Sequence, residues 1–224
     1  MSLAHLKYPK KSHRKPIKIP KDSEELAELL GIVFGDGGIN NKWQLVISLN
    51  SNLDKEYSQY IFSLIKKLFN ISAIIRKRPN QNTLVVVASS ISLVEFLVSK
   101  GAARGNKLKW GLKIPAWIEG KKDLEKAFVR GLMDTDGCLY IHKHKINGKI
   151  YQNLGLCFSS SSKDLIIDMV KITQKTGINA KINSQMNKLY VYSESGVLRY
   201  LDLFGSSNPR LLNKYEEWRG VRVA

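Results

Sequence analysis

Residues 29–37 read LLGIVFGDG and residues 129–137 read VRGLMDTDG, so one nine-residue segment returns after an interval of 100 residues. Gly31 matches Gly131, Ile32 Leu132, Val33 Met133, Asp36 Asp136 and Gly37 Gly137. Self-similarity at a long period constrains a fold strongly, because each copy has to open the same structural unit. The residues downstream of each copy also repeat in kind. Alternating stretches at 39–49 and 139–158 contain turn signals, Asn40-Asn41 and Asn147-Gly148. Helix-like runs come next at 54–69 and 163–176, then the strings NISAII (70–75) and GINAKI (177–182). β-rich runs at 84–88 and 189–193 lead to short apolar helices at 91–100 and 196–204. Each half therefore reads α-β-β-α-β-β-α. The sequence predicts a basic N-terminal arm (1–21), a first repeat (22–112), a linker with Pro115 and Gly120 (113–122) and a second repeat (123–224).

The repeated segments have helical spacing, with apolar residues at 26, 29, 30 and 33 and at 124, 128, 132 and 133. Asp22-Ser23-Glu24-Glu25 supplies an N-cap and an acid three residues on, and Asp123 is the corresponding candidate cap for the second helix. Gly31 and Gly131 then fall inside helices, where glycine costs roughly 1 kcal/mol relative to alanine. Close packing of one helix on the other, backbone to backbone, accounts for accepting that cost twice. Such packing brings Asp36 and Asp136 together at helix C-termini, where each opposes the helix dipole and the two repel. A cation between them relieves both effects, and a pair of oxygen ligands suits Mg²⁺, which commonly takes one or two carboxylates plus phosphate oxygens.

The charge balance points to a polyanion. Among 224 residues, 36 Lys and Arg stand against 19 Asp and Glu, a formal net charge of +17. The excess is spread over both halves: 19 basic and 8 acidic residues in 1–118, then 17 and 11 in 119–224. A long phosphate-bearing ligand lying across both halves fits that distribution, and a charge that merely keeps the protein soluble is the plainer alternative. No stretch has the ~18 apolar residues of a membrane span. Residues 1–21 hold seven Lys and Arg and no acid but lack the apolar core of a secretory signal. With only Cys138 and Cys157, a disulfide scaffold and a cysteine-based zinc site are excluded. An intracellular, non-secreted protein is expected, in the cytoplasm or nucleoid of a prokaryote or in an organelle.

The two nonapeptides resemble the signature motifs of the LAGLIDADG homing endonucleases in their single-chain, two-motif form. Leu29, Gly31, Asp36 and Gly37 agree with the motif in the first copy, and Gly131, Leu132, Asp134, Asp136 and Gly137 in the second. Residues 112–118, LKIPAWI, resemble the segment often seen before the second motif, and the resemblance covers residues 22–217. It implies an α+β fold in which two pseudo-symmetric αββαββα repeats form a saddle of antiparallel sheets, with the motif helices packed at the central interface. It implies a monomer that cuts both strands of a long, asymmetric double-stranded DNA target and leaves short 3′ overhangs, commonly in the intronless copy of a host gene. The cofactor implied is Mg²⁺, with Mn²⁺ a plausible substitute. The motif's eighth position, Asp36 and Asp136, would bind metal, helped by the carbonyls of Gly35 and Thr135. The sixth position, Phe34 and Asp134, is a packing or capping place.

Family active sites also hold basic residues near the scissile phosphate. Lys107 and Lys109 are the candidates in the first half. Arg210 and Lys214 stand at the equivalent place in the second, Lys214 being the one selected. Base readout is expected from alternate residues facing the groove: Asn41, Trp43, Gln44, Arg76 and Arg78 in the first half, then Tyr140, His142, His144, Gln152, Lys181, Asn183, Gln185, Lys188, Tyr190 and Tyr192 in the second. Polar residues ending the second strand of each half, Asn50 and Ser51 or Ser160 and Ser161, either hold active-site water or cap the next helix. His142 and His144 lack further Cys or His ligands and do not read as a metal site. The basic arm resembles one that tracks a phosphate backbone.

Two rivals remain at the level of sequence. An RNA maturase or DNA-binding regulator on the same scaffold would bind without cutting. A glycosidase-like acid–base pair at Asp36 and Asp136 leaves the charge and the paired glycines unexplained. The chain also lacks the N-terminal Cys or Ser and the terminal His-Asn pattern of a protein-splicing element, which favours an intron-borne or free-standing reading frame, although a domain excised from an intein would look the same.

Overall fold

The computed structural model describes residues 14–223. The first half runs α1 (Glu24–Gly35), β1 (Gly37–Asn41), β2 (Gln44–Asn50), α2 (Lys55–Phe69), β3 (Ile74–Lys77), β4 (Thr83–Ser89), α3 (Ile91–Ser99) and a single turn, α4 (Lys107–Trp110). The second runs α5 (Lys122–Asp136), β5 (Gly137–Ile146), β6 (Lys149–Ser159), α6 (Lys163–Lys175), β7 (Lys181–Ile182), β8 (Lys188–Val191), α7 (Glu194–Leu203) and α8 (Pro209–Val223). The two antiparallel sheets have matching orders, β1-β2-β4-β3 and β5-β6-β8-β7. This is the α+β architecture expected, two pseudo-symmetric repeats whose sheets form a saddle about a central helix pair.

That pair is α1 and α5. A methyl group added at Gly31 would overlap the carbonyl oxygen of Phe128, and one added at Gly131 would overlap that of Glu28. The ideal Cβ position of Gly31 is 3.2 Å from the Cα of Gly131, so the helices touch through their backbones. Residues 26–34 of α1 are buried without interruption, which explains their apolar character on all sides. The two flanks of the contact differ. On one, Phe34 and Phe128 meet edge to face at 5.3 Å. On the other, Arg130 donates to Glu28 Oε2 from Nε (3.0 Å) and Nη2 (2.5 Å), while Tyr60 and Ser207 hydroxyls donate to Glu28 Oε1 at 2.7 and 2.6 Å.

Period-two burial sets the faces of each sheet. Leu45, Ile47, Leu49, Val86 and Ala88 of the first sheet, and Leu154, Leu156, Phe158, Leu189 and Val191 of the second, enter one continuous core beneath the helices. Their strand neighbours stand on the open faces. The long β5–β6 hairpin closes on Asn147-Gly148, both with positive φ (48° and 79°), as a two-residue turn requires. In the first hairpin the turn falls at Lys42-Trp43 rather than Asn40-Asn41, and the register shifts between Gly38 and Asn41.

Several local expectations are corrected. Ser23 caps α1, accepting from Leu26 N at 3.3 Å. Asp123 does not cap α5: the helix starts at Lys122, its N-cap Lys121 makes no side-chain cap bond, and Glu125 Oε1 instead accepts from Gly120 N (2.8 Å). The connection 113–122 is packed, with Ile114 and Ile118 buried, Ile114 N donating to Asp168, and Trp117 Nε1 donating to Lys100 O. The helix α8 extends beyond the expected closing helix and seals Leu211 and Trp218 against the second sheet. Of the basic arm, residues 1–13 lie outside the described residues. Residues 14–18 lie back on the first half: Arg14 pairs with Glu95, Ser90 Oγ donates to Lys15 O, and Lys18 N donates to Phe69 O.

Gly31→Ala and Gly131→Ala should each lower the unfolding free energy by about 2 kcal/mol or more in urea melts, the cost of overpacking outweighing alanine's helix preference. Gly220→Ala, with nothing within 4 Å of the added methyl, should be neutral or stabilising. Equal effects at the three sites would refute the backbone contact. Arg130→Met should cost about 3 kcal/mol by stranding the buried Glu28 carboxylate. Much of that should return in the Glu28→Leu, Arg130→Met double variant, measured in the same melts.

Candidate active site and nucleic-acid interface

Each motif helix delivers its acid at the point where the chain turns into the first strand of a sheet. Asp36 caps α1, its backbone N–H donating to Ile32 O and its carbonyl accepting from Ser48 N of β2 (both 3.0 Å). Asp136 ends α5. The helices stay in contact here through side chains: a Cβ at Gly35 would overlap the Thr135 side chain and come 3.2 Å from Asp136 Oδ2. The two acids therefore share one electrostatic environment. Burial pushes the Asp36 carboxyl up to about 7, aided by the negative charges of Asp136 and Asp54 and opposed by Lys107 and Arg210. Asp136 is also raised by desolvation, against the same two cations.

Those cations are placed alike in the two halves. Lys107 Nζ, from the start of α4, donates to Phe34 O (2.9 Å) and Gly35 O (2.5 Å), the last carbonyls of α1. Arg210, from the start of α8, donates from Nη2 to Asp134 O (3.2 Å) and Thr135 O (3.3 Å), and from Nη1 to Gly137 O (3.2 Å). Each positive charge thus sits on the negative end of its own half's motif helix, beside the acid. Burial lowers the Lys107 pKa, and the two aspartates oppose that shift. Arg210 is oriented further by Asp54, whose Oδ1 lies 3.3 Å from Nε. Asp54 Oδ1 in turn accepts from Asn208 Nδ2 (2.8 Å), which also donates to Asp134 O (2.9 Å).

Of the lysines chosen from sequence, Lys107 alone reaches the paired acids. Lys109 is exposed on α4. Lys214 lies one turn further along α8 than Arg210 and pairs with Glu217 at 2.7 Å, so the cation of the second half is Arg210. The likeness of Asn106-Lys107 to Asn208-Pro209-Arg210 is the signal that finds it. Asp134, at the sixth motif position, is buried and accepts from Ser206 Oγ (2.5 Å) and Ser207 N (2.8 Å). Burial pushes its carboxyl up to about 7 against those hydrogen bonds. A cleft of about 460 Å³ opens beside the acids, lined by Lys107 and Asn40 from the first half and by Asp136, Ser159, Ser160 and Lys188 from the second. Ser160 Oγ accepts from Ser162 N (3.2 Å) and Asn50 Oδ1 from Asn52 N and Leu53 N, so both shape the turns into the next helices.

The readout candidates divide by register. In the second sheet Tyr140, His142 and His144 stand opposite Gly155, Asn153 and Tyr151, and Lys181 and Lys188 share that open face with Tyr190 and Tyr192. Gln152 pairs with Lys143 and falls on the other face, where its carbonyl accepts from Trp218 Nε1 of α8, so it is removed from the interface. Tyr151 and Asn153, not anticipated, take its place. Asn183 is occupied in the β7–β8 turn, accepting from Asn187 N and Lys188 N, and Gln185 accepts from Asn187 Nδ2 at the same turn. In the first sheet Arg76 is exposed on the open face opposite Val85, Arg78 begins the β3–β4 turn, and Gln44 Nε2 donates to Ser89 Oγ. Asn41 Oδ1 accepts from Trp43 N, fixing the first turn. Among the described residues, no Asp or Glu lies within a strand of either sheet.

Among the described residues no cluster of three or more His, Cys, Asp or Glu is arranged to hold a metal ion. The donors present are two carboxylates next to helix-end carbonyls. That set suits a hard divalent ion whose remaining positions are filled by water and by the oxygens of a phosphate-bearing ligand. No helix among the described residues is long and apolar enough to cross a membrane.

Residues 123–213 match the model of the LAGLIDADG-like domain. A curated relative, the replication factor C small subunit of Methanocaldococcus jannaschii, is 32% identical over 203 residues, covering 87% of this chain. The chain spans about a tenth of that relative's length, 10%. Among solved structures, the LAGLIDADG homing endonuclease I-LtrWI bound to target DNA superposes with a TM-score of 0.59 at 14% identity, over 89% of this chain and 90% of that one. I-DmoI in complex with DNA and Mn gives 0.54 at 18% identity, over 82% and 97%. Full-length DUF199/WhiA from Thermatoga maritima gives 0.53 at 20% identity, over 91% of this chain and 63% of that one. Two nonapeptides opening matched repeats, two sheets of identical order and a glycine-to-glycine helix pair thus coincide with these likenesses: residues 123–213 carry a LAGLIDADG-like domain, and the chain as a whole has the two-repeat fold of the single-chain LAGLIDADG structures.

Proposed function

We propose that the chain is a site-specific, divalent-metal-dependent DNA endonuclease that cuts both strands of a long asymmetric duplex. The observation that carries this reading is the paired site: two acids at touching helix ends, each with its own cation, between two sheets whose described strands are free of acidic residues. The halves 22–112 and 123–224 would each serve mainly one DNA strand within a monomer, joined by residues 113–122. Short 3′ overhangs and a role in intron homing are what the family resemblance adds, and an intracellular setting accompanies a DNA substrate.

Asp36 and Asp136 would hold Mg²⁺, or Mn²⁺ in its place, with the carbonyls of Gly35 and Thr135 beside them. A bound divalent ion lowers the pKa of an attacking water and stabilises the leaving oxygen of a phosphodiester. The raised pKa values of Asp36 and Asp136 express how unfavourable their negative charge is without a cation, and a bound divalent ion would favour the ionised form. Lys107 and Arg210 place fixed positive charge beside the acids, where charge develops on a phosphate in flight. The basic open faces and the arm bind and orient the duplex, mostly through phosphates. Asn41, Trp43, Gln44, Arg76 and Arg78 would read one half-site. Tyr140, His142, His144, Lys181, Asn183, Gln185, Lys188, Tyr190 and Tyr192 would read the other.

The likeness to WhiA favours one alternative, a DNA-binding regulator on the same scaffold; an RNA maturase is its counterpart on RNA. Incubation of the chain with a randomised duplex library and Mg²⁺ discriminates among them. The endonuclease reading expects double-strand cuts at one long site, abolished by EDTA and reduced at least about 10³-fold in Asp36→Asn or Asp136→Asn, with binding retained. Tight duplex binding with no cut in Mg²⁺ or Mn²⁺ would sink it in favour of the regulator. In the same assay Lys107→Met and Arg210→Met should each slow cleavage about 10²-fold. Lys109→Met and Lys214→Met should stay within about threefold of the wild type.

A further inference from the structure

The two open faces are built from different chemistry. Arg76 and Arg78 serve the first, together with Gln44, Ser48 and Asn50 on β2; Val46 of β2 and Val85 and Val87 of β4 share that face, the last two buried between their neighbours. Ile74 is exposed there too, but its neighbour along the strand on that face is Arg76. The described strands of the second sheet contain no arginine. Their open face carries six rings instead: Tyr140, His142, His144, Tyr151, Tyr190 and Tyr192.

These rings form an ordered platform. Tyr190 and Tyr192 lie parallel within 7°, with centroids 5.2 Å apart. His142 and His144 stack at 5.4 Å, and His144 stacks on Tyr151 across the strands at 5.6 Å. Tyr140 lies down over Gly155, so that a methyl group there would overlap its ring. The surface is open, with Tyr192 57% and Tyr151 44% exposed. A depression of about 240 Å³ is bounded by Tyr140, His142, Asn153, Gly155 and Tyr192. Lys181 and Lys188 flank the rings on the same face.

The paired acceptors O6 and N7 of guanine suit the arginine fork or a lysine, and on this face only Lys181 and Lys188, at the edge of the rings, offer such a cation. The apolar feature a major groove offers is the C5-methyl group of thymine, which apolar side chains contact. Lys181 and Lys188 can reach phosphates as well as base edges. We infer that the second sheet recognises its half-site through thymine methyl groups packed on the aromatic platform, so that this half of the target is rich in A·T pairs while the first half holds the guanines read by Arg76 and Arg78. The inference rests on the reading of the chain as a sequence-specific duplex DNA-binding protein.

The test begins with a binding selection of the full chain from a randomised duplex library in Ca²⁺. The half-site whose preference changes in Arg76→Ala belongs to the first sheet. Replacing thymine by deoxyuridine, which removes only the methyl, should then weaken binding in the other half by roughly fourfold for each methyl that is packed. The same replacement in the first half should change affinity less than twofold. Tyr140→Phe and Tyr192→Phe keep the rings and should keep the deoxyuridine effect. Tyr192→Ser should shrink it while the thermal melt stays that of the wild type. Specific binding that ignores deoxyuridine, or loses affinity equally in both halves, overturns the inference and leaves the function proposed above intact. Failure to bind any duplex removes both.

Discussion

The contact between Gly31 and Gly131 governs the rest of the molecule. Two helices can approach backbone to backbone only where neither carries a side chain, and the approach at those glycines continues to Gly35 and Thr135 at the helix ends. Bringing the C-termini of two helices together concentrates unsatisfied carbonyls and the negative poles of both dipoles at one place. Placing Asp36 and Asp136 there adds two formal negative charges. Lys107 and Arg210 offset part of that charge by donating to the terminal carbonyls, so the site is held together by cations contributed from distant parts of the chain.

The resulting symmetry is one of position rather than of chemistry. One flank of the helix pair is aromatic, Phe34 on Phe128, and the other is a buried polar network running from Glu28 and Arg130 through Ser207 to Asp134. The cations differ too, a flexible ammonium in one half and in the other a guanidinium held by Asp54 and by the carbonyls around Asp134. A single chain permits this, because residues at equivalent positions need not be the same, as they must be in a homodimer. The two halves therefore present different surfaces at every level, from the acid cluster to the sheet faces, and under the proposed function the two half-sites of a duplex would meet them separately.

Much of this was legible in the residues. The repeat disclosed the helix pair, the role of its glycines in close packing, the pairing of the acids and the αββαββα order of each half. The β5–β6 register was legible too. A two-residue turn at Asn147-Gly148 pairs Ile146 with Lys149, which puts Tyr151 beside His144 and sends Gln152 to the opposite face. Strand-by-strand alternation alone puts Gln152 with the readout residues and leaves Tyr151 out, and the register reverses both. Other features depend on tertiary contact. Arg210 is distinguished from Lys214 by one turn of α8, whose start is fixed by Asn208 and Asp54. Asp123 has the composition of a cap, but the helix begins at Lys122 with Lys121 at its N-cap, and Glu125 turns back to the Gly120 amide.

The cost of the acid pair bears on what the scaffold is for. A carboxylate whose pKa is raised by burial and by a like-charged neighbour is more stable protonated in the folded chain than in the unfolded one, so above the ordinary carboxylate range its ionisation opposes folding. Asp36 has that character in full and Asp136 through desolvation alone, although neither is sealed in the core where a polar network would fix it, as one fixes Asp134. Packing does not explain retaining two such groups at the contact of two helices, since Phe34 and Phe128 show that apolar residues are accommodated along the same pair. A divalent cation with a phosphate reverses the sign of the interaction, turning mutual repulsion into shared ligation. Between sheets whose described strands hold no acid and which leave phosphates unopposed, the position that is least favourable for the chain alone is the one best suited to a phosphodiester.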